Sequence, residues 1–143
     1  MSYSTASDIQ DRIGIDRLVE LADQDGDGVP DSALVVQAIA DADAEIDSYL
    51  TGRYSTPVAS ATPLLKRLSV SIAIFLLSSR PGLRPTEDDK RRYDADRQLL
   101  TRLRDGQISL PGVSERTGTD DKTNLGVTDG AERVFGRDNL EDF

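Results

Sequence analysis

Residues 31–79 read DSALVVQAIADADAEIDSYLTGRYSTPVASATPLLKRLSVSIAIFLLSS, and the fold is largely decided there. After Asp31, the residues Val35, Ile39, Ala42, Ile46, Tyr49 and Leu50 recur at three- and four-residue steps. That spacing predicts an amphipathic helix running to about Arg53, capped by Asp31 and stopped by Gly52 and the Ser55-Thr56-Pro57 triplet. Asp41, Asp43, Glu45 and Asp47 fall on its outer side, so Asp43→Ala is expected to change stability by no more than about half a kcal/mol. A second helix opens on Thr62 as N-cap with Pro63 at the first helical position. Leu64, Leu65, Leu68, Val70, Ile72, Ile74, Phe75, Leu76 and Leu77 leave it almost no polar face. A helix apolar nearly all round belongs at the centre, with other helices sheathing it. Leu68, Ile72, Phe75 and Leu76 are the expected core.

Working outward, STASDIQDRIGI predicts a short helix with Ser7 as N-cap and Gly14 as its end, and DRLVELA a second one. Ile9, Ile13, Leu18, Val19 and Leu21 would face inward. On the other side, Pro81 ends the apolar helix, and Thr86 with Asp89 forms a variant capping box for EDDKRRYDADRQLLTRLRDG. Tyr93, Leu99, Leu100 and Leu103 make a narrow apolar stripe there. ISLPG then allows one short strand. The predicted fold is all-α, a small helical bundle around one central apolar helix, with residues 1–111 as the helical domain. Residues 112–143 hold five glycines and show no period of 2 or 3.6, which predicts an extended C-terminal arm. Val134, Phe135, Leu140 and Phe143 return near its end and suit docking on a partner.

Composition narrows the chemistry. A chain of 143 residues fits one domain with a core that needs no staples. It has no cysteine and no histidine, which removes disulfides, Cys/His zinc sites, thiol nucleophiles and Ser-His pairs. Asp41/Glu45 and Asp43/Asp47 lie one helical turn apart but on the polar face, so no catalytic residue is assigned and no enzyme activity is expected. The longest apolar run, Leu68 to Leu77, is far below the ~20 residues of a membrane span. No basic start followed by an apolar run marks a signal peptide, so a cytoplasmic origin and no membrane partner are expected.

The net charge of −9 is unevenly spread. Residues 1–52 carry two basic and twelve acidic side chains, residues 53–104 eleven and five, and residues 105–143 four and nine. Such separation suits head-to-tail contact between copies, and it also fits solvated helix faces of no special meaning. Lys90, Arg91, Arg92, Arg97, Arg102 and Arg104 form a basic set, but interleaved Glu87, Asp88, Asp89, Asp94 and Asp96 and the overall acidity argue against nucleic-acid binding.

One metal hypothesis stands. Asp23, Asp25, Asp27, Gly28 and Asp31 occupy positions 1, 3, 5, 6 and 9 of a calcium loop of the EF-hand type. Position 12, where a bidentate glutamate belongs, is Leu34, and Pro30 is at position 8. The favoured reading is a polar, glycine-rich turn with Asp31 spent as a helix cap. No other cofactor is expected.

The run DGDGVPDSALVVQAIADADAEIDSYLTGRYSTP, followed by LLKRLSVSIAIFLLSSR, resembles the Mu-like phage family of head–tail connector proteins. The opening Tyr3-Ser4-Thr5 and the closing RVFGRDNLEDF are similar to that family as well, and AEIDSYLTGRY to LLKRLSV is the most specific block. The resemblance implies a helical adaptor in a homo-oligomeric ring of twelve copies below the portal of a tailed phage, in the virion neck. It also implies a C-terminal arm laid on the portal protein, contact with a tail-completion or tail-terminator protein, and a channel that lets the genome pass. An acidic lining would suit that passage, with residues 41–47 as one candidate. It supplies no active-site residues. A second function class stays open, a small soluble regulatory binder that uses the basic helix 87–105 to hold an acidic partner.

Overall fold

Five helices follow one another in the computed structural model, which describes residues 1–116: α1 (Ala6–Ile13), α2 (Ile15–Ala22), α3 (Ser32–Leu50), α4 (Pro63–Ser78) and α5 (Glu87–Arg104). The fold is all-α. α4 is the axis of the body, with α3 and α5 packed along it and the α1–α2 pair closing a further side. Thr62 caps α4 by accepting the Leu65 N–H at 3.3 Å, with Pro63 at the first helical position. Leu65, Leu68, Ile72 and Leu77 are enclosed, and Ile9, Leu18, Leu21, Ile39, Ile46, Leu100 and Leu103 meet them from the other helices.

Of the four side chains expected at the centre, Leu68 and Ile72 are fully buried, whereas Phe75 and Leu76 are half-buried at its margin. A body this small cannot enclose an apolar helix on every side. Phe75 instead stacks flat on Tyr93 of α5, ring centroids 4.0 Å apart and planes 5° from parallel.

The caps differ from expectation at two helices. α1 is capped by Thr5, not Ser7: Thr5 Oγ1 accepts the Asp8 N–H at 3.3 Å, and Asp8 Oδ2 accepts the Thr5 N–H at 2.9 Å. A full capping box satisfies two otherwise orphaned donors, which a lone Ser7 could not do. Gly14 alone separates α1 from α2, at φ +81°, a conformation that favours glycine. α3 starts after Asp31, but the Asp31 carboxylate makes no cap; Oδ2 turns back to the Gln24 N–H at 2.9 Å. α3 also stops at Leu50, where the Arg53 and Tyr54 N–H groups both bond the Leu50 carbonyl. The Thr86–Asp89 box caps α5.

The expected short strand does not form: among the described residues there is only a single antiparallel bridge pair, Tyr54 with Glu115. ISLPG has no neighbouring strand to pair with, and its first carbonyl, that of Ile108, is held by a side chain. The Arg53 guanidinium donates through Nη1 to the carbonyls of Leu103 (3.0 Å) and Ile108 (2.8 Å), and through Nη2 to Ser109 Oγ and Glu115. Tyr54 OH accepts the Leu110 N–H at 3.1 Å. Residues 112–116, grouped above with the arm, therefore pack on the body: Val113 lies against the core, and the Arg116 N–H bonds the Arg53 carbonyl at 2.8 Å. Val134, Phe135, Leu140 and Phe143 lie outside the described residues.

Arg53 thus fastens four points of the 103–115 segment to the end of α3. Arg53→Ala is expected to raise amide hydrogen exchange across 107–116 at least tenfold while α3 and α4 keep their protection. Unchanged exchange there would mean that Leu110 and Val113 hold the segment without the guanidinium. Among the described residues, no helix is long and apolar enough to cross a membrane.

Candidate functional site

The acidic stretch of α3 is put to use inside the molecule. Asp43, expected on the outer side, is 7% exposed. Its Oδ2 accepts from Ser2 Oγ (2.8 Å) and the Tyr3 N–H (3.0 Å), and its Oδ1 from Ser69 Oγ on α4 (2.5 Å). Ser69 spends its one hydrogen on Asp43, so Ser4 Oγ must donate in the 2.7 Å contact between Ser4 and Ser69. Tyr3 lies buried beside them, donating its hydroxyl to Asp47 and accepting the Val58 N–H at 2.9 Å. Burial first, and then the Asp47 carboxylate, hold the Tyr3 phenol well above its ordinary range. Glu45 accepts from Tyr93 OH at 2.9 Å, and burial followed by that hydrogen bond pushes the Tyr93 phenol up to about 12. Of the acids in 41–47 only Asp41 is exposed. Two of the four acids in the candidate channel lining therefore form a clasp for the N-terminal residues, and a third is bonded to α5.

α5 hides an acid too. Asp96 is 4% exposed, with Arg67 Nη1 3.4 Å from Oδ1 and no hydrogen-bond partner for Oδ2 among the described residues.

The loop between α2 and α3 brings Asp23, Asp25 and Asp27 together, with carboxylate oxygens within 4.8 Å of one another; Asp31 is not in this group. Their oxygens are engaged by the loop itself. Asp23 accepts the N–H groups of Gly26 (2.6 Å) and Gly28 (2.9 Å), Asp25 accepts that of Asp27, and Asp27 that of Val29. Calcium takes about six to eight oxygens. Three carboxylates that already cap backbone, with Leu34 in place of the bidentate ligand, suit a turn better than that shell. The Gly28 and Gly26 amides hold the Asp23 carboxyl below its ordinary range. A depressed folded value means that the contribution is present above the unfolded value, near 4, and lost as pH falls through the folded one. Gly26 and Gly28 amides are accordingly expected to exchange slowly at pH 5–7 and to lose protection below about pH 4, while Asp23→Ala removes protection at every pH. Protection that does not depend on Asp23 would show that the turn is held by other contacts.

At the opposite end of α3 two exposed arginines, Arg97 and Arg102, outnumber one exposed acid, Asp94, on a pocket wall. Tyr49, Asp94, Arg97, Gln98, Thr101, Arg102 and Gln107 line an open pocket of about 520 Å³. Arg97 Nε reaches Tyr49 OH at 3.4 Å, and its guanidinium lies 5.7 Å from the Tyr93 ring centroid. Arg104 pairs with Asp105, and Lys90 with Glu87.

The sequence matches the family described as Bacteriophage Mu, Gp36, over residues 3–128. The chain belongs to the bacteriophage Mu Gp36 family. It is 38% identical to Gene product J of Escherichia phage Mu over 118 residues, covering 82% of this chain and 81% of that protein. It is 33% identical to the Mu-like prophage FluMu protein gp36 of Haemophilus influenzae over 113 residues, covering 79% and 77%. The Gp36 match opens on Tyr3 and runs past Arg116, so it takes in both the Tyr3–Asp43 clasp and the Arg53 staple. Neither was assigned from the Gp36-like sequence alone, although one signal was present. Asp43 sits four residues after Ile39 and three before Ile46, on the buried stripe, and Ser69 sits on the apolar helix three residues before Ile72.

Proposed function

We propose that this protein is a structural virion component, a head–tail connector that forms a homo-oligomeric ring of twelve copies below the phage portal. Membership of the Gp36 family supports a phage structural or morphogenesis protein. The observation that carries the finer reading is the layout of exposed charge, acidic in the α2–α3 loop and basic on the last turns of α5, on a small helical body. In this reading the ring sits in the virion neck after synthesis in the bacterial cytoplasm. It binds the portal protein above and a tail-completion or tail-terminator protein below, and passes the genome without sequence-specific contacts. The net charge of −9 suits passage, because like charge keeps DNA from adhering. The role is one of assembly and assigns no catalytic residue.

The test is negative-stain microscopy and light scattering of the protein alone and mixed with portal. Rings on the portal are the expected result, and a strict monomer that ignores portal would sink the reading. In phage assembly, deletion of residues 132–143 is expected to yield filled heads that do not join tails, since Val134, Phe135, Leu140 and Phe143 are the proposed docking anchors.

A further inference from the structure

We infer that the pocket at the basic end of α3 receives the Asp23–Asp31 loop of a second copy, so that copies join head to tail. This rests on the ring reading and names its contact.

The two surfaces lie at opposite ends of one helix. The loop runs directly into Ser32, the first residue of α3, and Tyr49 in the pocket wall is in its last turn. At about 1.5 Å per residue, the eighteen steps from Asp31 to Tyr49 span about 27 Å. One copy cannot bring them together. A two-fold contact that paired each copy's loop with the other's pocket would satisfy both ends at once and stop at a dimer. A heterologous contact, which the ring reading requires, leaves a free acidic end and a free basic end that propagate until a ring closes.

The chemistry of the two ends is complementary. Residues 23–31 carry four carboxylates and no base. Asp25 and Asp27 are exposed, and Asp25 is raised above the ordinary carboxylate range: the hydrogen bond from the Asp27 amide lowers it, but the Asp27 carboxylate, desolvation, and then Asp31 and Asp23 together outweigh that bond. A guanidinium from outside relieves that crowding. Arg97 and Arg102 are exposed on the pocket wall, and Arg102 has no ion-pair partner among the described residues. The loop tip also shows an apolar side chain to solvent, Val29 at 59% exposure, and the pocket offers the half-buried Tyr49 ring. An apolar anchor rimmed by opposite charges is the pattern of a specific, salt-sensitive contact.

The absence of native cysteine makes the contact directly readable. Val29→Cys and Gln98→Cys leave every charge in place. Under mild oxidation of the full-length protein, a mixture of the two variants is expected to give a disulfide-linked heterodimer. Each variant alone should give none, and the doubly substituted chain should give a ladder. Adding Asp27→Arg to the Val29→Cys chain should reduce the heterodimer at least fivefold, and pairing it with Gln98→Cys carrying Arg102→Asp should restore it. Salt near 1 M, where the Debye length is ~3 Å, should act like the single reversal. Circular dichroism of each variant checks that the helices remain. Homodimers of either single variant, no link in the mixture, or a link indifferent to Asp27→Arg would each overturn the inference. A ladder from protein that never binds portal would keep this contact and remove the connector role. Portal rings without the Val29–Gln98 link would do the reverse.

Discussion

Asp43→Ala is expected to lower the unfolding free energy of the helical body by about 3 kcal/mol, read as a drop in the urea midpoint at unchanged slope. The carboxylate is 7% exposed and accepts three hydrogen bonds, from Ser2, Tyr3 and Ser69. Alanine strands the Tyr3 N–H and the Ser69 hydroxyl in a buried site, and a stranded buried donor costs about 1–3 kcal/mol. The same change frees residues 2–4, so Tyr3 should lose protection along with its bond to the Val58 N–H. Asp43→Asn keeps one acceptor but turns an amide donor toward other donors, and should fall between. A loss of half a kcal/mol or less in Asp43→Ala would restore the sequence-based expectation and mean that residues 2–4 are not clasped in solution.

Ile72→Ala should cost as much or more, about 2–5 kcal/mol, for a different reason. Ile72 is wholly buried at the middle of α4, the helix on which α3 and α5 both pack. Deleting its branched chain removes buried surface and leaves a void that packed helices cannot collapse into. Val36→Ala provides the control, since Val36 is 62% exposed on α3 and should stay within about half a kcal/mol. Equal, small effects at both positions would mean that α4 is not the axis of the fold.

Helix identity was legible in the sequence because the signals are local. Thr62-Pro63 and the Thr86–Asp89 pair each act within one turn, and both cap as read. The long-range polar contacts were not legible. Asp43 and Asp96 each occupy a position on a buried stripe, yet a carboxylate there reads as a surface residue until its partner is in view. For Asp43 the partners lie 40 and 26 residues away in sequence, at Tyr3 and Ser69. The same holds for Arg53: its turn reads as a helix stop, and nothing local says that its guanidinium gathers carbonyls 50 and 55 residues on. At the loop, the alternating carboxylates allowed calcium or, as the favoured reading, a polar turn, and the bonds they make are to the loop's own amides.

The path by which the chain leaves the described body has a mechanical consequence. Residue 116 is bonded through its N–H to the Arg53 carbonyl and through Nη1 to the Thr51 carbonyl, both in the turn just past α3. Tension applied downstream of Arg116 therefore enters the fold just past α3, the longest helix among the described residues. The nearby Arg53 bonds to Leu103, Ile108 and Glu115 share that pull. Several bonds stretched together resist a force that would open them easily one after another. A subunit built this way can be tugged at Arg116 before its packed helices begin to separate.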